Sequence, residues 1–267
     1  MRVTCKRIDK TLPFTSETIQ LEVAEVILDR YPFPVSLKEP KYIVRVDVHK
    51  NHLVISLQLT PLSLSKTTPK PYLPVTAMKS NLSYSMLLLG DVPLGGTILD
   101  PFLGSGTTLI QASKLSKTYR LIGFDWDEAS VQGSILNLNS EGISGADIRC
   151  VHALEMSGHL PWHSVDAIIT DPPYGIRTAK QKKYFEFYLS FLAQSRRVLK
   201  VGGSLTIMVV KRYSFDDALE RIRGFKEVER LQVKLGGFTA HLIKLIYVGL
   251  NPQEEQKEIL ESENIPE

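Results

Sequence analysis

Three short stretches hold side chains whose type and spacing can do chemistry. In TDPPYG, residues 170–175, an acid follows the apolar run SVDAII and two prolines follow the acid. Proline cannot donate to a sheet ladder, so a buried strand here has to stop at Asp171. The rings of Pro172 and Pro173 fix φ, which gives the Pro172 carbonyl a set direction. The Asp171 carboxylate and that carbonyl are two acceptors able to orient an amine. Tyr174 can stack on an aromatic ring, and Gly175 lets the chain turn away. The plainer reading of the same residues is a proline-rich turn with a helix-capping acid. In ILDPFLGSGTTLIQAS, residues 98–113, an apolar run ends at Asp100. Gly104, Ser105 and Gly106 form a turn, and a helix begins near Thr107. The glycines can take backbone angles closed to other residues and let a ligand approach the main chain, and the helix start offers free N–H groups. In RLIGFD, residues 120–125, a third apolar run ends at Asp125.

The glycine loop lacks the lysine of a Walker loop, and position 109 is leucine where a dinucleotide fingerprint needs its third glycine. An acid just before the glycines would repel a pyrophosphate and suits an ammonium group. S-adenosylmethionine carries one at its amino-acid end, and a sulfonium as well. An acid ending the second strand of a doubly wound sheet is placed to accept both hydroxyls of an adenosyl ribose, which assigns Asp125. Trp126 follows it and can pack on the adenine or serve as a core or rim aromatic. An amine conjugated into a purine is a poor nucleophile. Hydrogen bonds to Asp171 and Pro172 would favour its in-line attack on a sulfonium methyl, with Asp171 taking the departing proton.

These acids require strands to present them. From Ser80 onward, apolar runs alternate with helical stretches: GTILD, RLIGFD, DIRCV, VDAIITD and GGSLTIMVV. That rhythm predicts an α/β fold with a doubly wound, mainly parallel sheet. The ends of its strands then bring Asp100, Asp125 and Asp171 to one cleft. The last two runs, EVERLQVKL and AHLIKLIYVGL, have no helix between them and predict an antiparallel pair. NLSYSMLLLGD predicts a helix with Leu82, Met86 and Leu89 on one face. Ahead of this section, residues 1–62 read as a small α+β unit: a strand in RVTCKRI, a helix near Glu17 to Tyr31, and a hairpin turning at Lys50–Asn51. Residues 63–78 read as a proline-rich linker, 79–250 as the second domain, and 251–267 as a polar tail, frayed or disordered.

Composition sets outer limits. The 267 residues are 43% hydrophobic and 23% charged, an ordinary globular balance. No apolar run approaches the length of a membrane span, and the N-terminus MRVTCKRIDK is not a signal peptide. Cys5 and Cys150 stand far apart without partners at metal-ligand spacing, so neither a disulfide framework nor a metal site is expected, and a reducing cytoplasmic setting is. The net charge of +3 is mild. Basic residues gather in CKRIDK, SKTTPKPY, RTAKQKK and KRY, either as solvated surface or as phosphate contacts. Arg177, Lys180, Lys182 and Lys183, just past the proline loop, share those two readings. His159 and His163 read as loop residues.

LDPFLGSGTT together with TDPPYG resembles the class I methyltransferases that modify exocyclic amines. RVTCKRIDKTLPFTS looks like the end of a THUMP domain, and KLGGFTAHLIKLI is similar to the closing hairpin of the same proteins. The match, over roughly residues 2–248, is to THUMP-domain RNA methyltransferases that form N2-methylguanosine, chiefly in tRNA. The resemblance implies S-adenosylmethionine as cofactor and RNA, tRNA first, as partner. It implies that Asp100, Pro101, Gly104, Ser105, Gly106 and Thr107 hold the methionine part, and that Asp125 and Trp126 serve the ribose and adenine end. Asp171, Pro172, Pro173 and Tyr174 would form the catalytic loop. Ser80 and Asn81 fall on a helix flanking the cofactor.

Three departures stand out. The chain starts at what resembles the second half of a THUMP domain, so an incomplete RNA-gripping unit is expected, with a separate protein as the candidate supplier of the rest. Where the family has an acid contacting the adenine amine, His152 and Ala153 stand here; the imidazole either accepts one hydrogen bond or lies at the surface. The family's cysteine in the glycine loop is Leu103, a change expected to affect packing. Two other readings remain. One is a DNA adenine-N6 or cytosine-N4 methyltransferase, for which no sizeable target-recognition segment is evident. The other is a non-catalytic RNA-binding remnant, against which the intact DPPY stretch argues.

Overall fold

A computed structural model describes residues 1–8, 12–50, 52–60, 64, 70–173, 181–235 and 237–250, with the side chains of 181 and 182 excepted. Asn51, residues 63 and 65–69 of the expected linker, Tyr174, Gly175, Arg177, Lys180 and the tail 251–267 lie outside the described residues. The chain divides into two compact units, Met1–Leu64 and Ser65–Glu267.

The first unit is built from β1 (Arg2–Arg7), α1 (Ser16–Arg30), β2 (Ile43–His49) and β3 (His52–Leu57). Its sheet runs β1-β2-β3, with β1 parallel to β2 and β2 antiparallel to β3. Thr15 starts α1 by accepting a hydrogen bond from the Thr18 N–H at 3.0 Å, which satisfies one of the open donors of the first turn. Ile19, Val23, Ile27 and Leu28 recur at helical spacing and cover Val3, Val46 and Val48.

The second unit holds α2 (Ser80–Gly90), β4 (Thr97–Asp100), α3 (Thr107–Leu115), β5 (Arg120–Asp125), α4 (Glu128–Ser140), β6 (Asp147–Cys150), a 3-10 helix (Ala153–Gly158) and β7 (Val165–Thr170). It continues with α5 (Gln181–Val198), β8 (Leu199–Val209), α6 (Arg212–Arg221), β9 (Phe225–Leu235) and β10 (Phe238–Tyr247). The strand order is β6-β5-β4-β7-β8-β10-β9. The first five strands pair in parallel, while β10 runs antiparallel to both β8 and β9. This is the doubly wound sheet with an antiparallel end. The order reverses between β4 and β7, the point where such sheets open a crevice.

Alternate residues of each strand feed two cores. Leu99, Phe124 and Ile168 pack with Tyr188, Phe191 and Leu192 of α5 and Phe215 of α6. Ile98, Leu121 and Ile169 pack on the other face with Met86, Leu109, Ile110 and Leu138. The buried stripe of α2 is Ser83, Met86, Leu87 and Gly90, with Leu82 and Leu89 only partly covered. Apolarity alone had selected Leu82 and Leu89. The helix instead turns its small residues inward: a Cβ on Gly90 would sit 2.8 Å from Ile169 Cδ1. Strand β7 ends at Thr170, one residue before the expected acid.

Candidate active site at the carboxyl ends of β4, β5 and β7

Strand pairing sets β4 between β5 and β7, so Asp100, Asp125 and the Thr170–Asp171 junction end three neighbouring strands. Asp100 is 2% exposed. Its Oδ1 accepts from the Thr170 hydroxyl at 2.7 Å and from the Phe102 N–H at 3.2 Å. Burial pushes its pKa up to about 6, with the hydrogen bond from Thr170 pulling the other way. Among the described residues no cation is one of the groups that act on it. A buried carboxylate without a countercharge fits an ammonium ligand.

The loop after Asp100 turns as its glycines require. Gly104 and Gly106 have φ of 50° and 74°, in the left-handed region, and Gly106 caps α3. Pro101 and Leu103 are buried. Leu103 fills the space over β5, since a Cβ on Gly123 would meet its Cδ1 at 2.7 Å. Asp125, also buried, accepts from the Gly104 N–H at 2.8 Å through Oδ2 and from the Asp127 N–H at 3.0 Å through Oδ1. Each oxygen keeps a further lone pair, so the acid can hold the glycine loop and two hydroxyls together.

Ser105 and Thr107 use their side chains within the protein. Their side-chain oxygens lie 3.0 Å apart, and the Lys70 ammonium donates to both. Thr107 also donates to the Met78 carbonyl at 3.3 Å. Lys70 belongs to the basic cluster SKTTPKPY, yet it is partly buried, and burial lowers its pKa to about 8. Next to it, the wholly buried Asn137 of α4 clamps two segments. Its Nδ2 donates to the carbonyls of Tyr72 at 2.7 Å and Ser105 at 2.9 Å, and its Oδ1 accepts from the Tyr72 N–H at 2.9 Å. The Tyr72 ring lies flat on Gly133, where a Cβ would come within 2.3 Å. Lys70, Tyr72, Asn137 and Thr170 are parts of the site that motif reading missed. Proline spacing at Lys70–Tyr72 marks a loop, and nothing in it names α4 as the partner.

At the root of the proline loop Asp171 is half-buried, Pro172 buried and Pro173 exposed. Thr170 ties this root directly to Asp100. Trp126 is 70% exposed. His152 caps the 3-10 helix, accepting from the Leu154 N–H at Nδ1, 3.2 Å away. With Nδ1 occupied as acceptor, the neutral ring carries its proton on Nε2. The residue is exposed, as the second of its two expectations had it, and its free ring nitrogen is a donor and not the acceptor of the first. Ala153 beside it is buried, as is Ser80 at the start of α2, while Asn81 and Lys183 are exposed. His163 is more than a loop residue: its Nδ1 lies 2.7 Å from the Leu199 carbonyl and its ring stacks on Tyr247. Among the described residues no cluster of three metal-ligating side chains occurs, and no helix is long and apolar enough to cross a membrane.

Comparisons with known proteins agree with this geometry. A family model described as RMKL-like, methyltransferase domain, matches residues 69–241, and a THUMP domain model matches residues 1–58. The chain is 32% identical over 203 residues to the tRNA (guanine(6)-N2)-methyltransferase of Thermus thermophilus, covering 74% of this chain and 59% of that protein. It is 31% identical over 220 residues to the tRNA (guanine(10)-N2)-dimethyltransferase of Methanocaldococcus jannaschii, covering 79% and 61%. It is 26% identical to the human U6 snRNA (guanine-N(2))-methyltransferase THUMPD2, covering 78% and 40%. The chain thus spans 59% of the Thermus relative and 40% of the human one. Among solved structures it matches TrmN from Thermus thermophilus with a TM-score of 0.74 at 29% identity, covering 92% of this chain and 71% of that one.

Proposed function

This chain belongs to the RMKL-like methyltransferase family, and on that premise we propose that it methylates the exocyclic N2 amine of a guanine in RNA, with tRNA as the substrate. The observation that carries the reading is the junction at Thr170. One hydroxyl joins the root of the DPP loop to a buried, uncompensated Asp100, so the amine-orienting and ammonium-holding groups share one rigid link. The activities named for these three relatives, each a guanine-N2 methylation of RNA, support the choice of base, and the THUMP match supports RNA.

S-adenosylmethionine, when bound, supplies a sulfonium methyl group. Asp100 would hold its ammonium, the Gly104–Gly106 backbone its methionine part, and Asp125 its ribose hydroxyls. Asp171 and the Pro172 carbonyl would accept the two N–H groups of the guanine amine and so point its lone pair toward the cofactor. Asp171 would take the proton that the amine loses. Tyr174, outside the described residues, keeps its proposed role of stacking on the base. The His152 Nε2–H would donate to an adenine ring nitrogen, a contact distinct from the family's acid to the adenine amine.

The test is transfer of labelled methyl from S-adenosylmethionine to total tRNA, followed by nucleoside analysis. Label is expected in N2-methylguanosine. Asp171→Ala should lose at least 100-fold in rate while keeping cofactor affinity, the size typical of a lost proton acceptor. Label in another nucleoside, or a chain that binds no cofactor by calorimetry, would overturn the reading.

A further inference from the structure

A cavity of about 440 Å³ opens on the second unit past the end of β8, with none of Asp100, Asp125 or the glycine loop in its lining. Its walls include Tyr184 of α5, Lys211, Arg212, Tyr213 and Ser214 at the start of α6, and His241 of β10. Strand β8, which leads into it, pairs with β7 through Thr170 and Ile207. Neighbouring strands lie about 4.8 Å apart, so the cavity is one strand removed from Asp171. Tyr188 is near both places. The Lys211 backbone hydrogen bonds to Tyr188, whose pKa is raised mainly by burial and in part by the charge of Asp171.

The lining is cationic and aromatic. Lys211 Nζ lies 5.5 Å from the centre of the Tyr184 ring, and the Arg212 guanidinium lies 4.6 Å from that of Tyr213. Among the described residues no carboxylate lines the cavity. The nearest acid on α6, Asp216, is held by Arg230 at 2.7 Å and stands 4.0 Å from Arg212. Tyr213 is 68% exposed, so its ring has a face to offer. Helix α6 has no acid in its first turn, so no carboxylate there opposes the positive end of its dipole. The volume falls in the range of sites that hold a nucleotide-sized ligand.

We propose that this cavity seats the nucleotide adjoining the methylated guanosine in the RNA strand. Its phosphodiester lies between Lys211 and Arg212, and its base stacks on Tyr213. The site thereby grips single-stranded RNA by charge and stacking, which tolerate any base, and holds the target in register with Asp171. This rests on the RNA reading above and adds a second subsite to it.

The experiment uses the full chain and total tRNA. Binding is measured by fluorescence anisotropy over a range of salt concentrations for the wild type, Lys211→Ala/Arg212→Ala, Tyr213→Ala and the charge-retaining Arg212→Lys. Cofactor affinity and thermal melts are followed in parallel. The double variant should bind tRNA at least tenfold more weakly, with a salt slope shallower by about one. Tyr213→Ala should lose about tenfold with the slope unchanged. Arg212→Lys should keep the wild-type slope, and cofactor affinity should not move in any variant. Unchanged tRNA affinity in the double variant and in Tyr213→Ala would overturn the proposal, as would a wild type that binds no tRNA or a parallel loss of cofactor affinity. Methyl transfer is read separately. A wild type that makes N2-methylguanosine while the variants bind tRNA normally would sink the subsite and leave the function standing. A wild type that binds no cofactor would sink the function instead.

Discussion

Asp100 is the residue through which pH should act on the site. Its folded pKa, about 6, lies above the ordinary carboxylate value of 3.8. The folded state therefore binds the proton more tightly than the unfolded chain does. The stability this group contributes is fully present below about pH 4 and is lost as pH rises through 6. An ammonium ligand needs the ionised form, so cofactor affinity should move the other way. Calorimetry from pH 7.5 to 5 is expected to show weakening affinity while the melting temperature of the cofactor-free protein rises. Asp100→Asn should remove both trends and weaken binding at pH 7.5 by tenfold or more, the worth of a charge-assisted hydrogen bond. Lys70 has the opposite sign. Its pKa of about 8 lies below the ordinary 10.5, so burying the charge costs stability at neutral pH, and the cost is relieved as pH rises from 8 through 10.5. Lys70→Met should abolish that alkaline gain in urea midpoints and leave stability at pH 7 within about 1 kcal/mol of the wild type, because Ser105 and Thr107 remain bonded to each other.

Among the elements, α4 decides how the glycine loop is held. Gly133 and Asn137 stand one turn apart and so share a face. The first makes room for the Tyr72 ring, and the second bonds the backbones of Tyr72 and Ser105. Gly133→Ala should force the 70–72 segment outward and cost about 1–3 kcal/mol, as overpacking does. Asn137→Leu leaves a buried N–H and two carbonyls unpaired and should cost more, about 2–4 kcal/mol. Thermal melts would measure the two costs. A variant that loses stability while keeping cofactor affinity would show that the clamp serves folding and not the site. The 3-10 helix after β6 makes a parallel case: by capping it with Nδ1, His152 fixes which proton its ring offers.

At the scale of the whole molecule each unit has its own packing: one cluster in the first, and one on each face of the sheet in the second. Val46 is fully buried in the first unit, among residues that belong to that unit alone. Val46→Ala should cost about 2 kcal/mol there through lost burial and the cavity left behind. Hydrogen exchange is expected to quicken in β1–β3 while Ile98, Ile168 and Ile169 of the second unit keep their protection. Cofactor affinity should be unchanged. Loosening of both units together would show that they fold as one.

What the amino-acid order determined by itself is local. An acid before two prolines has to end a strand, two glycines around a serine have to turn, and apolar runs spaced by helices have to make a parallel sheet. Each follows from backbone sterics or periodicity within a few residues, so TDPPYG, DPFLGSG and RLIGFD were readable, as was the antiparallel pair at the end. What the tertiary structure decided are contacts between residues far apart in the chain. Lys70 left the solvated surface for the back of the glycine loop, Tyr72 found Gly133, and Thr170 bonded to Asp100. Met86 is buried as expected and Leu82 and Leu89 pack at the edge of the core, but Ser83 and Gly90 are more deeply buried than either leucine, because close packing rewards shape as well as apolarity. The cationic cavity at Lys211 and Tyr184 belongs to this second kind. Its walls come from three elements that only the winding of the sheet brings together, and no spacing along the chain encodes such a meeting.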